Sequence, residues 1–204
     1  MKKIFFSLLL STLIFFVARA QQDGYAVGDT AKDLSLLNTN GKVFSLNQLA
    51  QAKGYIVIFT CNHCPFSQAY EQRIIDLDKK YAQLGYPVVA INPNDPVAEP
   101  EDSYPNMIKR AKEKGFTFPY LLDSSQQTAK TYGAKRTPHV YLLSKTSANI
   151  LRVEYIGAID DNFDDPAAVK EKYLEKAIEA VSKGGKPAVT LTKAIGCGIK
   201  WKKP

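Results

Sequence analysis

Cys61-Asn62-His63-Cys64-Pro65 sets two thiols one helical turn apart, directly after the apolar run Tyr55-Ile56-Val57-Ile58-Phe59. The spacing predicts a buried strand that delivers a dithiol to the first turn of a helix. There the positive end of the helix dipole and unpaired backbone N–H groups favour a thiolate over a thiol, which makes a nucleophile of an otherwise inert side chain. The chemistry open to such a pair is thiol–disulfide exchange. His63 lies between the two cysteines, where a protonated imidazole stabilises a neighbouring thiolate. A stabilised thiolate means a stabilised reduced form and a more oxidising pair. The alternative for His63 is an exposed residue at a helix start with no effect on the thiols.

The chain has three cysteines, too few to staple a fold of this size and an odd number that cannot be fully paired within the molecule. Packing must hold the fold, which leaves the cysteines for chemistry. A zinc site built on Cys-x-x-Cys needs a second ligand pair, and the sequence holds no other such cluster. No metal and no cofactor is expected, unless His63, His139 and Cys197 assemble with the dithiol in space. Cys197 itself is either a possible third redox cysteine or a small buried hydrophobe. A disulfide from Cys197 to either motif cysteine would tie the tail across the active face and switch off exchange until reduced.

The elements that must position these groups can be read along the chain. Leu34 to Leu37 and Lys42 to Ser45 form a hairpin around Asn38-Thr39-Asn40-Gly41, and Ser45 or Asn47 opens a short helix. Strand 55–60 leads into the dithiol and a helix over 62–83, whose apolar members Phe66, Tyr70, Ile74, Ile75, Leu77 and Tyr81 recur at helical spacing. Strand 87–91 follows, so a right-handed parallel crossover is expected. Segment 92–105 is rich in proline and acidic residues and reads as a loop. Because parallel strands end at the same edge, that loop should emerge beside the dithiol. Short helices at 107–114 and 126–132 flank an extended segment 116–122. Arg136-Thr137-Pro138-His139 then leads into an antiparallel pair, 140–143 with 150–156, and a helix from Asp165-Pro166 to Ser182.

Residues 1–20 stand apart from this pattern. Lys2 and Lys3 precede an apolar stretch from Ile4 to Val17, and Ala18-Arg19-Ala20 is a small-x-small cleavage site. The segment reads as a signal peptide cut before Gln21, which implies a periplasmic or otherwise extracytoplasmic protein. Membrane association is expected only if this segment is retained as an anchor. Its removal takes away three basic residues and lowers the formal net charge from +7 to +4. A surface so mildly basic, with Lys193, Lys200, Lys202 and Lys203 gathered in the tail, gives no expectation of nucleic-acid binding. Residues 21–204 suit a single domain with a Cys-containing tail at 183–204, and a monomer is expected.

This order of strand, dithiol, helix, parallel strand, Thr-Pro, hairpin and closing helix resembles the thioredoxin-like fold. That is an α/β architecture with a central mixed β-sheet flanked by helices. The opening hairpin and the insertion before Thr137 resemble its redoxin branch, which holds the alkyl hydroperoxide reductase/thiol-specific antioxidant proteins and their exported thiol–disulfide oxidoreductase relatives. Cys-x-x-Cys-Pro and the tail Gly196-Cys197-Gly198-Ile199-Lys200-Trp201 are similar to a peroxiredoxin-like subgroup.

The resemblance implies that Cys61 is the exposed nucleophile and Cys64 the more buried resolving cysteine. It implies that Pro138 is held cis opposite the dithiol, where the backbone of Thr137 pairs with an extended substrate. Partners would be protein thiols or disulfides and a further redox protein. Thr60 stands where thioredoxins carry tryptophan, which changes the surface a partner meets. No acid occurs from Gly54 to Thr60, and Glu71 and Asp76 are expected to face water, so the thiols have no assigned proton acceptor. Two alternatives remain open. A peroxide reductase would need Pro-x-x-x-Thr/Ser-x-x-Cys, which neither cysteine fits, with Arg136 as the candidate for the cation. A non-catalytic copper module would use Cys61, Cys64 and His139, but the copper-delivery relatives place three residues between their cysteines, not two.

Overall fold

The computed structural model describes residues 24–203; the expected signal segment lies outside the described residues. In chain order the strands and α-helices are β1 (Thr30–Ala31), β2 (Leu36–Asn38), β3 (Val43–Phe44), β4 (Gly54–Phe59), α1 (Pro65–Tyr81), β5 (Val88–Asn92), α2 (Tyr104–Lys114), β6 (Tyr120–Leu122), α3 (Gln127–Tyr132), β7 (Arg136–Thr137), β8 (His139–Lys145), β9 (Leu151–Gly157), α4 (Tyr173–Ser182) and β10 (Cys197–Gly198). Eight strands form one mixed sheet in the order β1-β9-β8-β4-β5-β6-β2-β3, and β10 pairs separately with β7. The β4 strand runs parallel to β5 and antiparallel to β8. Among the described residues, no helix is long and apolar enough to cross a membrane.

Every residue of β4 is buried, as expected of a central strand covered on both faces. Successive side chains alternate between two cores. Ile56 and Ile58 join Val88, Ala90, Val140 and Leu142 against Tyr70, Ile74 and Leu77 of α1 and Leu174 and Ile178 of α4. Tyr55, Val57 and Phe59 face the other way, with Leu46, Val89, Ile91, Tyr132 and Tyr141. Each such aliphatic or Phe side chain contributes about 1.5–3 kcal/mol through burial, so the end of β4 is a rigid platform. The expected hairpin is present, with Leu36 opposite Phe44 and Gly41 at φ +81° in the turn.

Two helices begin later than the sequence pattern predicts. The first starts at Pro65, with Cys64 at its N-cap in extended conformation (φ −70°, ψ 123°). A residue before proline is disfavoured in the helical region, and Pro65 takes the N1 position, so the dithiol precedes the helix and does not occupy its first turn. The second, predicted from Asp165, forms only a single turn of 3-10 helix at Pro166–Ala168, and α4 starts at Tyr173. Asp161 accounts for the gap. Its Oδ1 accepts from the backbone N–H groups of Lys170 and Glu171 at 3.0 and 3.1 Å, a side-chain-to-backbone pairing that competes with helix.

Candidate active site

Cys61 and Cys64 sit in the crossing between the carboxyl end of β4 and the start of α1, and both sulphurs rest against Thr137. The Cys61 Sγ is 3.1 Å from the Thr137 hydroxyl and 3.8 Å from that of Ser67, while the Cys64 Sγ is 3.2 Å from the Thr137 carbonyl oxygen. Thr137 owes its position to the end of β7, and the Thr137–Pro138 peptide is cis. The expected juxtaposition of dithiol and Thr-Pro is therefore observed.

Cys64 is bonded not to Cys61 but to Cys197, with the two Cα atoms 6.0 Å apart, and Cys61 is a free thiol. The tail strand β10 lies antiparallel on β7, Cys197 opposite Thr137 and Gly198 opposite Arg136. This closes the site. Cys61, expected at the surface, is 3% exposed, and Cys64 is fully buried. The tail covers the Thr137 side, and the segment after β5 covers the other.

That segment brings in a residue the sequence pattern did not single out. Asp102 is fully buried, and four donors converge on its carboxylate. Oδ1 accepts from the Asn62 backbone N–H at 2.6 Å and the Asn92 side chain at 3.2 Å; Oδ2 accepts from the Asn94 side chain at 2.7 Å and pairs with Nδ1 of His63 at 2.6 Å. His63 Nε2 faces Glu99 at 3.6 Å. Ligand atoms of Cys61, His63 and Asp102 lie within 4.8 Å of one another. These three are metal-ligand types, but the carboxylate's acceptor positions are already filled by protein donors, so hydrogen bonding and charge pairing account for the cluster.

His63 is pushed up to about 9, chiefly by the Cys61 sulphur beside it; burial opposes this, and Asp102 adds a smaller upward effect. With both ring nitrogens facing carboxylates, the imidazole is an imidazolium at neutral pH, a fixed positive charge next to Cys61 and not a base awaiting a proton. Tyr120 completes the wall. Its hydroxyl donates to Asn62 Oδ1 at 2.9 Å, and burial, with the nearby Cys61 and Asp102 charges, holds it protonated. Cys61 also borders a small cavity lined by Thr60, Ile74, Phe118 and Tyr120.

Other residues fall elsewhere. Glu71, expected to face water, is buried and paired with Arg110 at 2.6 Å, whereas Asp76 is exposed. Arg136 donates to the Gly196 carbonyl at 2.8 Å and so holds the tail, not the thiols. The His139 ring packs at a tilt against Tyr141, whose ring lies in the core on the face away from α1. Burial lowers it to about 4, which keeps it neutral. The three ligands of a copper module are thus not brought together: Cys64 is taken by Cys197, and His139 packs on Tyr141 outside the cluster of Cys61, His63 and Asp102.

Comparison with known proteins agrees with this geometry. The AhpC/TSA family model matches residues 27–156. The solved structure of a hypothetical protein SMc02350 from Sinorhizobium meliloti 1021 is 34% identical and superposes with a TM-score of 0.79, covering 89% of this chain and 97% of that one. Thiol-disulfide oxidoreductase ResA of Geobacillus thermodenitrificans (strain NG80-2) is 26% identical over 151 residues, 71% of this chain and 80% of the relative. A putative thiol:disulfide interchange protein DsbE from Chlorobium tepidum, 23% identical with a TM-score of 0.51 over 63% of this chain and 84% of that one, shares the fold. With its sheet order, its dithiol at the end of β4 and well over half its length matched, the chain has a thioredoxin-like fold and belongs to the AhpC/TSA redoxin family.

Proposed function

We propose that the chain is a thiol–disulfide oxidoreductase that exchanges disulfides with protein thiols through Cys61 and Cys64, with Cys197 as a third redox cysteine. One observation carries this reading: a free Cys61, within 4.8 Å of ligand atoms of His63 and Asp102, stands beside a disulfide on Cys64, and both sulphurs rest against Thr137 before its cis proline. The resemblance gave attack to Cys61 and resolution to Cys64. In the latched form the order is an internal one, because Cys61 is the free sulphur and Cys64 the sulphur already bonded to a partner strand. An attack by Cys61 on Cys64 makes the Cys61–Cys64 disulfide and frees Cys197.

The working partners are protein thiols or disulfides together with a redox protein that resets the pair, and no cofactor is needed for exchange. Export fits the leader-like residues 1–20 and the presence of a disulfide, since oxidising compartments are where such bonds form. A mature chain beginning at Gln21 is the expected product.

Turnover of insulin disulfides, or oxidation of a reduced test protein, measures the activity. Cys61→Ser should reduce either rate by about 100-fold or more, as expected for loss of a nucleophile that no neighbour replaces. An unchanged rate would exclude Cys61 from the reaction. Alkylation trapping in intact cells reads the direction: a pair mainly oxidised at steady state donates disulfides, and one mainly reduced removes them.

A further inference from the structure

The tail lies along Thr137, where the resemblance implies that an extended substrate pairs, with more contacts than a disulfide alone requires. Besides the pairing of Cys197 with Thr137, the Ile199 N–H donates to the Lys135 carbonyl at 3.3 Å, and the Ile199 side chain is buried in the core beneath. Lys200 is gripped on both sides of its peptide: its N–H donates to Asn94 Oδ1 at 2.8 Å, and its carbonyl accepts from the Asp95 N–H at 2.9 Å and the Gln126 side chain at 2.8 Å. Upstream, Thr192 is fastened to β9 and its exit through Tyr155 and Ala158, so exposed residues 193 and 195 lie between two anchored stretches.

Gly196 sets the closest approach. A Cβ at this position would stand 2.2 Å from the Thr137 carbonyl oxygen and 3.0 Å from the Pro138 nitrogen, backbone atoms that cannot swing aside. At Gly198 a Cβ meets nothing within 4 Å. The strand position opposite Thr137 therefore accepts a cysteine preceded by glycine, tolerates any residue after it, and offers an apolar pocket to the next.

We infer that the tail is a built-in stand-in for the substrate, and that the site selects extended thiol peptides of the form Gly-Cys-x-Ile, or another branched apolar residue in place of Ile. This rests on the exchange function proposed above and names its substrate class. The covalent step balances within the chain. The Cys61 thiolate attacks the Cys64 sulphur, the Cys61–Cys64 bond forms as the Cys64–Cys197 bond breaks, and Cys197 leaves as a thiolate that takes a proton from water. No electrons are gained or lost, and the tail is free to lift. A substrate thiolate entering the vacated strand position runs the same step backwards. Its sulphur bonds Cys64, and Cys61 leaves as a thiolate beside His63. A second thiol of the substrate then attacks the substrate sulphur of that mixed disulfide, so the substrate departs as a disulfide and its two electrons remain on Cys61 and Cys64. The reverse sequence reduces a substrate disulfide.

Two peptides test the selection, Ala-Ile-Gly-Cys-Gly-Ile-Lys and the same sequence with alanine before cysteine. Each is offered as its glutathione mixed disulfide to the full chain carrying Cys61→Ser and Cys197→Ser, and capture on Cys64 is read by intact mass. The glycine peptide should be captured about tenfold or more in preference, the scale of an unrelieved backbone clash. In the otherwise native chain, Gly196→Ala should make the Cys64–Cys197 disulfide about tenfold easier to reduce with glutathione. Equal capture of the two peptides, or unchanged reducibility of Gly196→Ala, overturns the inference. Insulin turnover by the native chain separates the two levels: turnover without peptide discrimination ends the inference and leaves the exchange function standing, whereas discrimination without turnover supports the selectivity and ends the exchange function.

Discussion

At the scale of residues, the site is a charge network arranged around one free sulphur. Asp102 touches neither Cys64 nor Cys197 in any hydrogen bond; it is a positioning residue that acts through His63, and its four donors fix it in place. Replacing it with an amide puts an N–H₂ group where donors already point, so Asp102→Asn should free the imidazole and remove its charge partner. The His63 ring resonance should then titrate measurably below about 9, while the Cys61 sulphur, the larger cause, still holds it above the ordinary 6.5. Alkylation of Cys61 at pH 7, in protein whose tail has been released by reduction, should slow by roughly tenfold, the size of a lost close charge interaction. A merely structural Asp102 would leave the His63 midpoint unmoved while lowering stability. Conservative replacement with Glu should restore part of the shift if the carboxylate charge is what matters.

Element by element, much of this arrangement was legible in the sequence. The all-apolar run before Cys61 identified the central strand and Asn-Gly the hairpin, whereas the place of Thr137-Pro138 opposite the dithiol came from the family resemblance. Parallel β4 and β5 also required segment 92–105 to emerge beside the thiols, as it does. Which acid of that loop would turn inward was not legible, because Asp102 becomes buried through Asn62, Asn92 and Asn94, contacts that exist only once the loop is folded. Glu71 was misplaced for a related reason: helical periodicity set it on a polar face, but Arg110 and Lys114 of α2 cover that face and bury it. The start of α1 was legible in principle, since Pro65 at N1 signals the boundary and places Cys64 at the cap. Cys197 is the long-range case. Its partner lies 133 positions away, and nothing local to Gly196-Cys197-Gly198 tells whether it meets Cys61, Cys64 or neither.

At the scale of the whole molecule, two histidines give opposite limbs to the dependence of stability on pH. His63 has a folded value of about 9, above the unfolded 6.5, so its contribution is complete below about pH 6.5 and is lost as pH rises through 9. His139, buried neutral with a folded value of about 4, works the other way: between pH 6.5 and 4 the unfolded chain binds a proton that the folded chain does not, and stability falls as pH falls. Urea unfolding at pH 5, 6.5 and 9 should show His139→Gln flattening the acid limb and His63→Gln flattening the alkaline one, each by about 1–3 kcal/mol. A variant that shifts all three pH values equally would assign its histidine to packing alone. The same molecule-wide view explains why the tail matters: one covalent bond fixes the C-terminal strand over a site built from β4, β7 and the loop after β5. Disulfide mapping across a series of glutathione ratios, by acid quench, alkylation and peptide mass, tests the exchange most directly. If Cys61 attacks Cys64, both the Cys64–Cys197 and the Cys61–Cys64 species will appear, with Cys197 alkylated in proportion to the second and the second absent in Cys61→Ser. A Cys61 that stays alkylatable at every ratio, while Cys64–Cys197 simply opens and closes, would contradict it.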